Sequence, residues 1–364
     1  MEGIQDSKKL ELQLISTGMH HSQEFGLTYK EIEADGFIID SKVEILLSGD
    51  TPPAIIKSMG LAMISFAECF ENLNPDILLV LGDRFEILAG VTAAMISRIP
   101  IAHIHGGECT LGAIDEAIRH SITKMSWWHF VAADEYQKRV TQMGEDPERV
   151  FNTGGLGVDA IKKSRLLTKK DLLDKFGIRF GKKNLLITFH PVTLEKDSSE
   201  MHFKALLNVL RELNDTYLIF TLPNADPDSR VIINMIYDYV NKNKKKSIVF
   251  ASMGQTNYLS TVKFVDGVVG NSSSGLTEVP SFKIGTINIG DRQSGRLKSN
   301  SVIDCKPTEN SIKQAFKTLY SKEFQKILSS VDNPYGEGNS VEKIVNILSE
   351  TKIPFEPKKK FYDL

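Results

Sequence analysis

The chain has 364 residues, 41% of them apolar, with 44 basic side chains against 46 acidic ones. That length suits two domains, each with its own core, and the balanced charge argues against a nucleic-acid partner, which would leave a basic stripe. No apolar run approaches the roughly 20 residues of a membrane helix, and the polar, mixed-charge start at residues 1–9 is not a signal peptide.

In chain order, residues 1–6 read as the end of a helix. Short apolar, β-branched runs then alternate with longer helical patterns. Strands are expected at residues 10–16, 77–81, 101–104, 129–133 and 151–153. A second series is expected at 185–189, 217–221, 247–250, 267–269 and 286–289. Helical patterns lie between them, for example over 53–72, 113–125 and 200–213. Most strand candidates are continuously apolar, as parallel strands covered on both faces should be. The pattern predicts an α/β fold of two Rossmann-like, doubly wound domains with a cleft between them. The first domain is expected to span 1–155, with a C-terminal helix at about 338–364 packing back onto it, and the second to span 156–337. A doubly wound half normally opens with a strand and a glycine-rich turn. Here the first strand candidate begins only at Leu10, so the opening strand and its loop are expected to be absent.

Cys69, Cys109 and Cys305 are too scattered for a disulfide framework or zinc spacing. They fit a soluble, cytoplasmic protein with reduced thiols. No metal and no cofactor is expected: no histidine or carboxylate run has ligand spacing, and the adjacent His20 and His21 point differently. Asn271-Ser272-Ser273 matches a glycosylation sequon, but without an export signal it is expected to be inert.

Polar clusters follow the apolar strands, where open α/β sheets bind ligands. They are Gly82-Asp83-Arg84, His105-Gly106-Gly107-Glu108, His190-Pro191-Val192-Thr193, Pro223-Asn224, the turn Gly270-Asn271-Ser272-Ser273-Ser274-Gly275, and Gly290-Asp291-Arg292-Gln293. Each alone is a weak signal. At the same structural position they form a constellation.

The 270–275 turn is the clearest. Its glycines allow close backbone approach, and its hydroxyls and amides at a helix start suit a diphosphate. Glu278 is placed to accept from ribose hydroxyls. The plainer alternative is an ordinary serine N-cap. Asp83 reads as a general base or as half of a structural ion pair with Arg84, and Arg84 also as a phosphate fork. On the 113–125 helix, Ile114, Ile118, Ile122 and Met125 share one face. Asp115, Glu116, Arg119 and His120 share the other. That polar face is either solvated, with an Asp115–Arg119 pair, or part of the site. Asp83, Glu108 and Asp115 would then meet near one sugar carbon. His190 reads equally as a ligand contact or a satisfied core histidine. Trp127 and Trp128 read as core.

Taken together, the clusters and their neighbours closely resemble the hydrolysing UDP-N-acetylglucosamine 2-epimerases. The motifs are Gly82-Asp83-Arg84-Phe85-Glu86, His103-Ile104-His105-Gly106-Gly107-Glu108, Asp115-Glu116-Ala117-Ile118-Arg119-His120, His190-Pro191-Val192-Thr193, Pro223-Asn224, the 270–275 turn with Glu278, and Asn288-Ile289-Gly290-Asp291-Arg292-Gln293-Ser294-Gly295-Arg296. They run in order over nearly the whole chain, from about residue 10 to 339. The resemblance implies a GT-B-like fold whose second domain binds UDP. It implies conversion of UDP-N-acetylglucosamine and water to N-acetylmannosamine and UDP, for sialic-acid-type biosynthesis. The route it implies is loss of the C2 proton, expulsion of UDP, and rehydration with C2 inverted.

By position, the resemblance implies that Arg84, His190, Asn224, Ser272, Ser273, Glu278 and Arg292 contact UDP and that His20 lies near the sugar; Arg119 joins the substrate-binding candidates. It implies that Asp83, Glu108 and Asp115 are the acid/base carboxylates. Some relatives carry glutamate where this chain has His105, which joins the catalytic candidates. The Cys109–Ala113 loop reads as one residue longer than in the animal enzyme. Relatives also open with a strand and a Gly-Thr-Arg-Ala-Asp-Tyr-like loop that nothing here matches. Either the start is an internal methionine or that strand is missing, which would expose unpaired backbone in a parallel sheet.

The expected partners are a UDP-sugar substrate and further copies of the chain, as a dimer or tetramer. The competing readings are the same reaction on a UDP- or GDP-linked diacetamido-trideoxy hexose of the legionaminic type, a non-hydrolysing epimerase, and an inactive nucleotide-sugar-binding protein.

Overall fold

Both faces of most strands are apolar, and the fold follows from covering them with helices. The computed structural model of the protein describes residues 1–47, 51–110, 114–192, 198–224, 229–354 and 356–364. Thr193 and residues 111–113, which include the expected start of the 113–125 helix, lie outside the described residues. The strands are β1 (Ile15–Thr17), β2 (Ser41–Val43), β3 (Leu78–Leu81), β4 (Ile101–Ile104), β5 (Trp128–Val131), β6 (Val150–Asn152), β7 (Lys183–Thr188), β8 (Thr216–Thr221), β9 (Ser247–Phe250), β10 (Gly267–Gly270), β11 (Gly285–Ile289) and β12 (Val302–Cys305). The helices are α1 (Glu2–Gln5), α2 (Tyr29–Ala34), α3 (Pro52–Leu73), α4 (Phe85–Ile96), α5 (Asp115–Met125), α6 (Asp134–Gln142), α7 (Leu156–Lys163), α8 (Lys169–Phe176), α9 (Ser198–Glu212), α10 (Ser229–Lys242), α11 (Gln255–Val262), α12 (Ser274–Thr277), α13 (Glu309–Leu319), α14 (Lys322–Ser329) and α15 (Ser340–Glu350).

The chain divides into two compact units. The first holds Met1–Glu108, Ile114–Asp159 and Tyr335–Leu364. The second holds Ala160–Pro334 together with Cys109 and Thr110.

In the second unit a parallel sheet runs in the order β12-β11-β10-β7-β8-β9. Alternate residues of its central strands feed two cores. Leu185, Ile187, Phe220 and Val269 pack with Phe203, Ile232, Ile236 and Phe316 of α9, α10 and α13. Leu186, Ile219 and Val268 pack with Leu172, Ile178, Val262 and Val279 on the other face. This double burial is why the sequence shows unbroken apolar runs and no alternation. Each fully buried Leu, Ile or Phe contributes roughly 1.5–3 kcal/mol before entropy is charged.

The first unit holds a parallel sheet ordered β3-β4-β5-β6 and a separate parallel pair, β1-β2. Val80 and Ile101 pack with Phe66, Phe70, Phe85 and Ala89 of α3 and α4. Ala102, Ile104, Trp128 and Phe130 pack on the other face with Ile344 and Leu348 of α15. Among the described residues β3 pairs with β4 and β1 pairs with β2, and no ladder joins the two sheets.

Two strands escape the sequence reading. β2 is the polar tripeptide Ser-Lys-Val, and β12 is an edge strand with an exposed Asp304. Neither carries a continuous apolar run. The expected 10–16 strand pairs only from Ile15 onward.

One exclusion needs correction. α3 is 22 residues long and holds an 18-residue stretch of mean hydropathy 1.3, so it has the length and composition to cross a membrane. Here its Ala62, Phe66, Cys69 and Phe70 lie in the first unit's core, while Ile56, Leu61, Met63 and Ile64 are exposed.

Candidate active site

In the first unit, β3 and β4 end side by side, and their following turns carry the chemistry. Gly82 N–H donates to the Ile104 carbonyl at 3.1 Å, which joins the two turns. Asp83 then leads into α4, with Arg84 as the residue before the first helical turn. Arg84 Nε lies 3.5 Å from Glu86 Oε1.

After β4, His105 adopts a left-handed backbone with φ +66°. Such a conformation is uncommon outside glycine and is held by surrounding bonds. His105 N–H donates to the Phe130 carbonyl of β5 at 2.9 Å. Its Nδ1 lies 2.5 Å from Glu108 Oε1. Leu156 N–H reaches its Nε2 at 3.5 Å, so Nδ1 is the nitrogen that carries the proton. Gly107 is obligatory: at φ +76°, a Cβ there would stand 2.7 Å from the Tyr136 carbonyl of α6. Arg139 donates to the Gly107 carbonyl and fixes the turn.

Arg119 of α5 gathers this side. It is 1% exposed. Its NH2 donates to Asp83 Oδ2, and its NH1 to the Glu108 carbonyl at 2.9 Å and to Glu116 Oε2 at 3.5 Å. The polar side of α5 is therefore not simply a solvated face. Asp83, Glu108 and Arg119 are brought together, Asp115 opens the same helix, and Glu108 itself is 2% exposed. His20 sits in the turn after β1, is exposed, and bonds Thr28 Oγ1 at 2.8 Å. The neighbouring His21 bonds Ser16 instead.

In the second unit, the ends of β7 and β10 form a second cluster. Gly270, at φ +140°, lies so close to β7 that a Cβ would fall 1.8 Å from the Thr188 carbonyl. Only glycine permits that approach. The next residue, Asn271, is buried and uses its side chain like a strand partner. His190 N–H donates to its Oδ1 at 2.7 Å, and its Nδ2 donates to the His190 carbonyl at 2.8 Å. The sequon at Asn271 is thus closed to modification in the folded chain, since its amide is committed. The Asn271 carbonyl accepts from Arg292 at 3.2 Å and from Gln293 at 2.8 Å. Asn224 N–H reaches His190 Nδ1 at 3.4 Å, so His190 Nε2 carries the proton and can donate.

Ser272 and Ser274 are 3.5 Å apart through their hydroxyls. Tyr258 of α11 bonds Ser274, and burial pushes its phenol well above its ordinary pKa. Ser273 precedes α12, which is only four residues long before a 3₁₀ turn at Val279–Phe282. The helix dipole invoked from sequence is correspondingly small, because it sums over aligned peptides. The anion-binding capacity rests on amides and hydroxyls. Glu278 sits one turn on, with Thr277 Oγ1 donating to it at 2.5 Å.

Sequence reasoning gave no role to Asn271's side chain, Gln293, Tyr258 or Glu116. Asn271 and Gln293 stand inside recognised motifs, so their position was a usable signal. Tyr258 carries no such mark.

The sequence model of the UDP-N-acetylglucosamine 2-epimerase family matches residues 2–349. The chain is similar to a hydrolysing GDP/UDP-N,N'-diacetylbacillosamine 2-epimerase of Campylobacter jejuni, 46% identical over 322 residues, 88% of this chain and 83% of that protein. It is similar to polysialic acid biosynthesis protein P7 of Escherichia coli, 38% identical over 363 residues, 99% of this chain and 92% of that one. In fold it is similar to the UDP-GlcNAc 2-epimerase of Neisseria meningitidis solved with UDP-GlcNAc, with a TM-score of 0.79 and 18% identity over 96% of this chain and 94% of that one. That likeness fixes the GT-B-like class of two Rossmann-like units. The chain belongs to the UDP-N-acetylglucosamine 2-epimerase family and is an enzyme of the hydrolysing 2-epimerase type.

Proposed function

We propose that the chain hydrolyses a nucleoside-diphosphate-linked 2,4-diacetamido-trideoxyhexose and inverts its C2. Substrate and water give the free 2-epimeric sugar and the nucleoside diphosphate. The observation that carries this reading is the buried Arg119, which holds Asp83 and the Glu108 main chain beside the His105–Glu108 pair. Proton-carrying groups are thereby fixed in one place, as acid/base work at a C–H bond requires.

A base among Asp83, His105, Glu108 and Asp115 takes the C2 proton. The C1–O bond breaks, its electron pair leaves with the diphosphate, and a glycal forms. A second group of that set delivers a solvent proton to the other face of C2. Hydroxide from water joins C1. His190, Asn224, Ser272, Ser273 and Arg292 of the second unit hold the diphosphate and stabilise its charge as it departs. Glu278 accepts from the ribose, and His20 serves the sugar. The likeness to the Campylobacter jejuni enzyme supports the choice of sugar.

The second reading is UDP-N-acetylglucosamine to N-acetylmannosamine for sialic-acid-type biosynthesis. It is favoured by the similarity to protein P7 across 99% of this chain. Both readings place the enzyme in the cytoplasm, where its free thiols are at home. We also propose a homo-oligomer in which the exposed Ile56, Met63 and Ile64 of α3 meet a second copy. An apolar stripe of this kind is self-complementary across a two-fold axis.

NMR in deuterated water tests the reaction with UDP-N,N'-diacetylbacillosamine and UDP-N-acetylglucosamine as probes. Free sugar deuterated at C2, with release of UDP, is expected from the diacetamido probe. Release from UDP-N-acetylglucosamine alone would establish the second reading. An epimerised but still nucleotide-linked sugar would refute hydrolysis.

A further inference from the structure

His103 lies on β4 and is fully buried. Its ring joins three segments of the first unit's site. Nε2 is 2.8 Å from the carbonyl oxygen of Gly82, the residue before Asp83. Nδ1 is 3.2 Å from Thr123 Oγ1. That hydroxyl is 3.0 Å from the carbonyl of Arg119, one turn back on α5. The strand bearing His103 runs directly on to His105 and Glu108.

A carbonyl oxygen only accepts, so Nε2 carries the ring's proton. A neutral imidazole has one N–H, so Nδ1 is bare and shares with the Arg119 carbonyl the single proton of the Thr123 hydroxyl. Flipping the ring would set a C–H against the Gly82 carbonyl. Burial holds the pKa down to about 3, so the ring stays neutral through the working range. Gly106 leaves room for this arrangement: a Cβ there would come within 3.1 Å of both His103 Nδ1 and Thr123 Oγ1.

We propose that His103 is a positioning residue, whose Nε2–H bond to Gly82 sets Asp83 against Arg119 without touching substrate. The inference rests on the epimerase reading above. A core histidine that merely fills space would affect stability and leave the rate per folded molecule unchanged. A strut acting on Asp83 affects turnover and spares nucleotide binding, because the diphosphate contacts lie mainly in the second unit. Displacing a reacting group by about 1 Å costs on the order of a hundredfold in rate.

Two amides separate the ring's two bonds. Gln places its amide nitrogen near the Nε2 position and can still donate to Gly82. Asn reaches only the Nδ1 position. The full chain and its H103N and H103Q variants are assayed on the two UDP-sugars named above, with UDP affinity and thermal midpoint measured alongside. H103N is expected to lose about 30-fold or more in kcat, with KM and UDP affinity within about twofold. H103Q is expected to recover most of that loss. The ¹⁵N shifts of the wild-type ring give a readout that needs no variant and should show a protonated Nε2 and a bare Nδ1. The opposite tautomer overturns the proposal. So do equal losses in both variants, an H103N rate equal to wild type, or a rate that falls only with the folded fraction. A wild-type chain that leaves both nucleotide sugars intact overturns the epimerase reading and this one with it. An active wild type with an unaffected H103N overturns this one alone.

Discussion

Replacing Lys359 with Met tests how the C-terminal tail is held to the first unit. The ammonium uses all three of its donors: Glu145 Oε2 at 2.5 Å, the Lys124 carbonyl at 2.8 Å and the Ser126 carbonyl at 2.7 Å. Glu145 is completely buried and also accepts from His129 at 2.9 Å and Lys124 at 2.6 Å. Burial alone would raise its pKa. The bond from His129 and those from the two lysines outweigh that and hold it at about 2, against 4.5 when exposed. Burial keeps His129 neutral, so it serves as a donor and not as a third cation. Methionine keeps the apolar stem but removes all three bonds, including the one to the Glu145 carboxylate, and leaves the buried Ser126 carbonyl short of a partner. Burial lowers the pKa of Lys359 itself, which offsets part of the pair's gain; after that and solvent screening, the expected loss is about 2 kcal/mol at pH 7.

The pH dependence has a definite sign. Glu145's folded pKa lies below its unfolded one, so its contribution is complete above about pH 4.5 and is lost as pH falls toward 2. The gap between wild type and Lys359→Met should therefore shrink across that window. The chain's two tryptophans, Trp127 and Trp128, lie in the first unit next to His129, so their fluorescence during urea unfolding reports on this unit. The midpoint is expected to drop by about 1 M at pH 7. An unchanged midpoint, or a gap that widens as pH falls, would refute the argument.

Asp83→Asn keeps the shape but weakens the pair with buried Arg119. Steady-state kinetics should show kcat reduced by about a hundredfold or more, and full activity would remove Asp83 from the acid/base set. Asn271→Ala strips both bonds from the His190 backbone, so isothermal titration should show UDP bound at least tenfold more weakly. Unchanged affinity would make Asn271 a spectator. Ile64→Glu places a charge on the exposed side of α3. Light scattering should then show a smaller species than wild type, and an unaltered mass would move the interface elsewhere.

Strands were legible where both faces are buried. β4 falls where its run begins and ends and β10 to within one residue, because a strand covered on both faces calls for such runs. β2 and β12 were not, since a short, half-exposed edge strand needs no apolar continuity. The functional clusters were legible for a related reason. Polar and glycine residues directly after a buried strand can only be a turn at the sheet's carboxyl edge. What stayed hidden was the state of particular side chains. Periodicity left Arg119 on a polar face that was either solvated or part of the site, and the bond that joins it to Asp83 spans 36 positions. Asn271's grip on His190 spans 81 positions. Local periodicity carries no trace of such pairings.

The same distinction bears on which group moves the proton. Carboxylates of the first unit have different kinds of partner. Asp83 meets a guanidinium and Glu145 meets two ammonium groups, neither of which releases a proton readily. Glu108 bonds an imidazole, the side chain suited to exchanging protons near neutral pH. His105→Asn isolates that property. Asparagine tolerates the left-handed backbone that His105 adopts, and its amide nitrogen falls where Nδ1 donates to Glu108. Backbone and hydrogen bond therefore survive while the proton-exchanging nitrogen is lost. If His105 works with Glu108 as one proton-carrying pair, kcat should fall by about a hundredfold to ten-thousandfold, with the thermal midpoint and UDP affinity close to wild type. A variant that keeps more than about a third of wild-type kcat would show that Glu108 acts alone and that the imidazole only shapes the turn.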